Sequence, residues 1–374
     1  MPTLTVKAHA LHDARMSAQD KLRLTPGFFE DYHDNPLLAK EWVSFTWAVT
    51  SPADGLVYCG LCHFNGDVLY SFDPDSKAFR SLALERVLDR FDIKVHRSIV
   101  FDTDGTLYGG TAILNDLNRY REVPGGKLFR YDTRTGKPEV LGIGLAHNGV
   151  QSVVMDVKRR ILYGFTWPDE HAFRFDIETR RSTDLGYMGT QPHSPVLDDD
   201  GTLWGIWKQM WGPEQNRCGL FRYSPDGDRL EFLRATLPGL SRADQGVVDS
   251  ALNGGDGFLY FGTTTGTLAR VDPRTAAVEY LGHPLPNERI TGLVAGSDGL
   301  LYGCGGAAYA TRFFRFDRKT RTSTDLGPIH DGQRKTSCWC THCLTEARPG
   351  LFYVGETDNP DRSGYLWECA VRES

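Results

Sequence analysis

Between residues 96 and 132 the chain alternates apolar and polar positions in short bursts. An apolar run at 99–101 leads into an Asp104-Gly105 turn, and a second run closes on Tyr108 and two glycines. After a polar loop, residues 128–131 alternate again and end in Asp132 and a Thr-Gly turn. Asp-Gly between alternating apolar runs is a strong hairpin signal, because this pair adopts the left-handed backbone that a two-residue turn needs. Three or four such strands in succession predict a small antiparallel sheet.

The pattern recurs in register along the chain. With Gly105 as anchor, the equivalents are Gly55, Arg160, Gly201, Gly257, Gly299 and Gly350, set in DGLVYCG, RRILYGF, DGTLWGI, DGFLYFG, DGLLYGC and PGLFYVG. Gly55 to Gly350 is 295 residues over six intervals, about 49 per repeat, at the long end of propeller periods. Each hairpin is followed by a matching strand that closes at Asp73, Asp132, Asp176, Ser224, Asp272 or Asp317. Seven anchors predict an all-β, seven-bladed β-propeller of four-stranded antiparallel blades.

The termini supply the closure. Residues 365–371 end the last repeat one strand short, and residues 3–8 alternate like a strand, so the N-terminal segment is expected to complete blade seven. The division that follows is one propeller domain over residues 1–374, with a closing strand at 1–8, a cap of short helix and irregular chain at 9–45, and blades one to seven at 46–371. Length alone would allow two domains, but repeat architectures commonly exceed that prior as one body.

Composition changes the picture little. Forty glycines, fifteen tyrosines and twenty phenylalanines suit many short strands joined by turns. No run approaches the roughly 18 apolar residues that cross a membrane, and the first residues lack the charged-then-apolar order of a secretory signal. A cytoplasmic location is therefore the expectation. Net charge is −6 with no basic block, which disfavours nucleic acid and anionic membranes as partners. A small-molecule or oligosaccharide ligand is the expected partner.

Blade geometry selects one face for chemistry. The lead-in to each innermost strand and the loop joining strands two and three lie at the same end, where this sequence is long and irregular; the Asp-Gly turns lie at the other. Variable loops on a rigid scaffold concentrate binding residues. Eight positions before each anchor stand Trp47, Arg97, Ser152, His193, Asp249, Thr291 and His342, with His96 and Gln151 one position earlier. Trp167, Trp207, Lys208, Trp211, Tyr120 and Tyr309 come from the second-strand loops. Imidazole can act as base or acid near neutral pH, arginine can grip a carboxylate through two parallel hydrogen bonds, and flat aromatic faces suit sugar rings. A histidine so placed also serves as a structural bridge to a neighbouring blade's turn.

The cysteines allow several readings. Cys59 to His63 reads CGLCH, the c-type haem pattern, but falls at a strand end without helical context or an export signal. Cys338, Cys340 and Cys343 lie in the blade that closes against blade one, so a zinc site with Cys59, Cys62 and His342 is geometrically conceivable. Free buried thiols are the other reading. A divalent metal, zinc or manganese, is the one candidate cofactor, and no spacing in the sequence defines its ligands.

Over residues 46–371 the blade pattern resembles the seven-bladed propeller lyases, among them oligogalacturonate, ulvan and virginiamycin B lyases. The likeness is architectural, since Asp-Gly-x-Leu-Tyr-Gly hairpins also occur in non-catalytic propellers. It implies a His or Tyr base with an Arg, or a His-held metal ion, neutralising an acidic group. The late blade here offers only His342, flanked by cysteines, where oligogalacturonate lyases have paired metal-binding histidines. The implied reaction is β-elimination on a uronate-containing oligosaccharide. Arg97 would neutralise the carboxylate, His193 would remove the proton, and His96 or Tyr120 would protonate the leaving group. Trp47, Gln151, Trp167, Trp207, Lys208, Asp249, Tyr309 and His342 would contact substrate. A hydrolase using Asp249 and Glu356 is a weaker reading, because nothing places them at a productive separation. The competing class is a non-enzymatic propeller that binds a small ligand or protein through the same face.

Overall fold

Seven antiparallel sheets of four strands succeed one another along the chain in a computed structural model that describes residues 2–23, 28–190, 193–209, 217–239, 247–286 and 289–373. The innermost strands are Ser44–Thr50, Ile99–Phe101, Gly149–Asp156, Val196–Leu197, Val248–Asn253, Ile290–Ala295 and Thr341–Arg348. Thr3–His9 pairs antiparallel with Leu366–Arg372, from Thr3 opposite Arg372 to His9 opposite Leu366, so the N-terminal strand completes blade seven as the alternation predicts. Blade one carries an extra pair, Asp92–Lys94 and Ala112–Ile113, attached at Cys62. The segment before blade one holds three short helices, Ala18–Arg23, Phe29–His33 and Pro36–Lys40. No helix among the described residues is long and apolar enough to cross a membrane.

The repeated letters each have a physical cause. In the turns, Gly55, Gly105, Gly201, Gly257, Gly299 and Gly350 all have φ between 71° and 85°, where a side chain would be strained; Arg160 accepts φ 58° at the seventh position. The turn aspartate receives the hydroxyl of the tyrosine four residues later: Tyr58 to Asp54 at 2.9 Å, Tyr260 to Asp256 and Tyr302 to Asp298 at 2.8 Å. In blades three and six the glycine that follows the second-strand tyrosine lies under a third-strand phenylalanine. A Cβ on Gly164 would meet the Phe173 ring at 2.6 Å, and one on Gly303 would meet Phe314 at 2.3 Å.

Apolar clusters fill each interface between neighbouring blades, seven in all, and the ring closes where Phe45, Val57 and Phe72 of blade one pack on Cys343, Tyr353 and Leu366 of blade seven. Burial on both faces of every sheet fixes strand register strongly, since a one-residue slip would turn each apolar set outward. That rigidity holds the loop face in place.

Candidate functional site

Five innermost strands carry a β-bulge at the same place, and the bulged residues are Thr46, Gln151, Asp249, Thr291 and His342. A bulge breaks alternation and re-aims one residue. In this ring it brings one polar residue per strand to the axis. The corresponding stretches of blades two and four supply His96, Arg97 and His193.

Most of them fall into two adjoining groups, one around Asp249 and one around the His96–His342 pair, that meet at the consecutive residues His96 and Arg97. Arg97 of blade two donates to the Asp249 carbonyl of blade five and, at 3.2 Å, to its Oδ1. His193 Nδ1 of blade four lies 3.0 Å from the same Oδ1. Arg289, at the lead-in to blade six, forks onto that carboxylate through Nε at 2.7 Å and Nη2 at 3.2 Å. His96 Nδ1 donates to the Gln151 carbonyl of blade three at 2.7 Å, and His342 Nδ1 of blade seven donates to the Thr46 carbonyl of blade one at 2.8 Å. With these contacts the cluster draws on every blade. The strand lead-ins are strained to suit: Arg97 and Arg289 both take left-handed backbone, φ 38° and 68°.

Most of this cluster is out of solvent's reach. The side chains of Arg97 and Asp249 are 0% exposed, whereas His193 is 17% and Arg289 31% exposed. Burial pushes the Asp249 carboxyl up, but the His193 hydrogen bond and the charges of Arg97, His193 and Arg289 together hold it well below the usual carboxylate range. Burial, reinforced by Arg97, lowers His193 despite its bond to Asp249. Burial likewise drives His96 and His342 well below the ordinary imidazole value, helped by Lys94 and Arg97 at His96 and by Arg97 and His96 at His342. All three rings are therefore neutral near pH 7. His193, 17% exposed and with Nδ1–H on Asp249, leaves its Nε2 without a hydrogen-bond partner among the described residues.

His96 and His342 face each other, Nε2 to Nε2, at 3.1 Å. Each ring gives its Nδ1 hydrogen to a carbonyl, so the neutral pair is one hydrogen short. The Arg97 Nε contact with His342 Nδ1, at 3.5 Å, cannot be a donor bond while that nitrogen itself donates to Thr46. Two such lone pairs invite a cation, yet the neighbouring charges are Arg97 and Lys94, and Asp249 is already held by two guanidinium groups. Among the described residues no group of three or more His, Cys, Asp or Glu side chains is arranged to hold a metal ion. The residues do not fit the divalent metal that the sequence left open.

Two members of the axial cluster, Arg97 and His96, are not placed for the roles expected of them, and other expected residues lie away from it. Arg97 cannot meet a substrate carboxylate from its buried position; it anchors Asp249. His96 is buried against His342 and is not placed to protonate a leaving group. Trp47, the residue after a bulge, packs between blades one and two and donates its indole N–H to the Ile99 carbonyl at 3.2 Å. Tyr120 gives its hydroxyl to Asp169 at 2.9 Å, and Tyr309 gives its own to Asp361 at 2.6 Å. Trp167 is exposed at a strand end, and Trp207 and Lys208 line a separate pocket. Trp211 lies outside the described residues. Glu356, fully buried, holds Arg362 through 2.8 and 2.9 Å contacts and is committed to blade seven. All eight cysteines are free thiols, and burial raises Cys59 and Cys338 well above the ordinary value and pushes Cys62 and Cys340 up to about 11.

No family profile and no curated protein matches the sequence. Solved structures do. Virginiamycin B lyase from Staphylococcus aureus superposes with a TM-score of 0.63 at 12% identity, covering 99% of both chains. The extracellular domain of a putative hybrid two-component system from B. thetaiotaomicron matches at TM-score 0.61 and 16% identity over 90% of this chain and 39% of that domain's chain. A second such extracellular domain matches at 0.55 and 15% identity, over 87% of this chain and 38% of the other. The likeness is one of fold.

Sequence reasoning missed Arg289 and Thr46. Arg289 stands two residues before the bulge of blade six, off the eight-residue count. The signal that could have found it is a lone cation just before an innermost strand whose neighbour in the ring contributes Asp249.

Proposed function

We propose that this propeller is a lyase that cleaves a uronate-containing oligosaccharide by β-elimination at the exposed end of the axial cluster. The observation that carries the reading is the pairing of His193 and Arg289 on one buried carboxylate. Asp249 fixes the imidazole tautomer, leaving Nε2 free as a base. The same carboxylate takes one edge of the Arg289 guanidinium; on the other edge Nη1 makes only a 3.8 Å contact with Cys340 Sγ, which a substrate carboxylate would replace. Arg289 thereby takes the role first given to Arg97.

In the step itself, Arg289 neutralises the C5 carboxylate and makes the C5 proton more acidic. His193 Nε2 removes that proton, the C4–O bond breaks with its electron pair on the leaving oxygen, and a C4=C5 double bond forms. The His193 imidazolium then returns the proton to the leaving oxygen, so no second acid is required. A binding role without turnover draws support from the likeness to the extracellular domains of putative hybrid two-component systems. The two readings part on one experiment: incubation with a panel of uronate oligosaccharides, following the ultraviolet absorbance of the unsaturated product. A lyase generates it; a binding protein gives affinity alone.

A further inference from the structure

A cavity of about 810 Å³ lies between blades three and four, lined by Tyr187, Trp207, Lys208, Arg217, Phe232 and Arg234 among others. Tyr187 ends the outer strand of blade three; Lys208 and Phe232 end the second and outer strands of blade four. Strands alternate in direction, so all three point to the face that carries His193. The pocket is distinct from the axial cluster and shares no lining residue with it.

Its charge is out of keeping with the rest of the protein. The chain's net charge is −6, yet the described lining residues include Lys208, Arg234 and Arg217, the last with contacts of its own, and no carboxylate. Elsewhere the repeat neutralises its arginines across the outer strand pair: Arg130 with Glu139, Arg222 with Glu231, Arg270 with Glu279 and Arg312 with Asp325, all at 2.7 or 2.8 Å. Lys208 and Arg234 have no ion-pair partner among the described contacts, and Glu170, whose field reaches Lys208, forms no ion pair with it. Between these cations stand open aromatic faces. Tyr187 is 48% and Phe232 47% exposed, and the Trp207 ring lies 4.9 Å from Phe232 with its indole N–H fixed on the Leu233 carbonyl. A concave site that offers flat apolar faces and unpaired cations suits a chain of acidic sugar rings.

We infer that this pocket is a distal subsite that holds the acidic sugars of an oligosaccharide extending from the axial site. The identification of the ligand as a uronate chain rests on the lyase reading. Occupancy of such a subsite would favour longer oligomers over short ones, because each bound ring adds contacts without changing the chemistry at His193.

Calorimetric titration tests it, with tetrasaccharides of galacturonate, mannuronate and guluronate against the neutral cellotetraose. An acidic tetrasaccharide should bind, weaken with added salt, and bind about tenfold or more less tightly to Lys208→Ala and to Arg234→Ala, the loss typical of one charged hydrogen bond. Both side chains are at the surface, and unchanged melting of the variants shows intact folding. His193→Ala should bind as the wild type does. Equal affinity of wild type and both pocket variants, equal binding of cellotetraose, or binding of no acidic tetrasaccharide overturns the subsite. Tight, pocket-dependent binding without product from any acidic oligosaccharide overturns the lyase reading and leaves the subsite standing.

Discussion

Replacing Asp249 with Asn keeps the shape of the axial knot and removes the one negative charge that holds it. In the wild type this fully buried carboxylate faces Arg97, which has no exposed side-chain surface, and Arg289, which has some. Without it, the Arg97 guanidinium stays in the interior beside a second cation with no counter-charge. Breaking a buried pair in this way costs about 3–5 kcal/mol, most of it the desolvation penalty of the abandoned charge. At roughly 2.1 cal/mol/K per residue, 374 residues give an unfolding entropy near 0.8 kcal/mol/K, so the melting temperature should fall by about 4–6 °C. Calorimetric melting of Asp249→Asn reads this directly. The companion variant Asp249→Leu with Arg97→Met, which removes both buried charges, should recover a large part of the loss. A single variant that melts within about 1 °C of wild type would refute the claim that this carboxylate pins the blades together.

Other consequences are independent of that pair. Deleting residues 2–10 leaves Leu366–Arg372 as an open edge and removes Val6 and Ala8 from the apolar cluster they help to cover, so urea denaturation should show a loss of about 3 kcal/mol or more; an unchanged midpoint would contradict closure by the N-terminal strand. Acid should destabilise the fold: His96, His193 and His342 have lowered values in the folded state, so as pH falls below about 6.5 the unfolded chain gains protons first. Their contribution is complete above that pH and declines by up to about 1.4 kcal/mol per unit for each ring below it; a melting temperature that holds or rises between pH 7.5 and 5.5 would count against neutral buried rings. Gly303→Ala should cost about 1–3 kcal/mol in chemical denaturation because its Cβ would enter the Phe314 ring, and a neutral result would show that the ring can move aside.

How far the sequence could be read depended on whether a residue obeys alternation. Blade count, strand order and the closing strand follow from a period of two, and burial between blades enforces that period, so they were legible. Even Arg160, which replaces the turn glycine of blade three, did not disturb the frame because a left-handed residue still fits there. The axial ring does not obey alternation. At Thr46 and Gln151 the bulge shifts the axial position by one, so counting back from the turn named Trp47 and Ser152, which pack between blades or within the sheet. Asp249, Thr291 and His342 were found by the same count because their bulges fall on it. Residue chemistry was legible where burial was not: Arg97 was read as a substrate contact, and only its position across the axis, 152 residues from Asp249 in sequence, makes it an anchor. Tyr120 and Tyr309 were plausible at the loop face, but each has a neighbouring carboxylate that sequence distance concealed.

The central claim is that His193, held by Asp249 beside Arg289, removes a proton from a uronate. The most direct measurement is turnover of an acidic oligosaccharide by wild type and His193→Ala, read as the ultraviolet absorbance of the unsaturated product, with calorimetric affinity measured on the same samples. Removing a positioned base should lower the rate by about 10²- to 10⁴-fold while affinity changes little. Arg289→Lys should also be strongly impaired, because lysine cannot grip Asp249 and a substrate carboxylate with two edges. Wild-type turnover in His193→Ala would contradict the assignment of the base, and absence of product from every acidic oligosaccharide that binds would contradict the lyase itself.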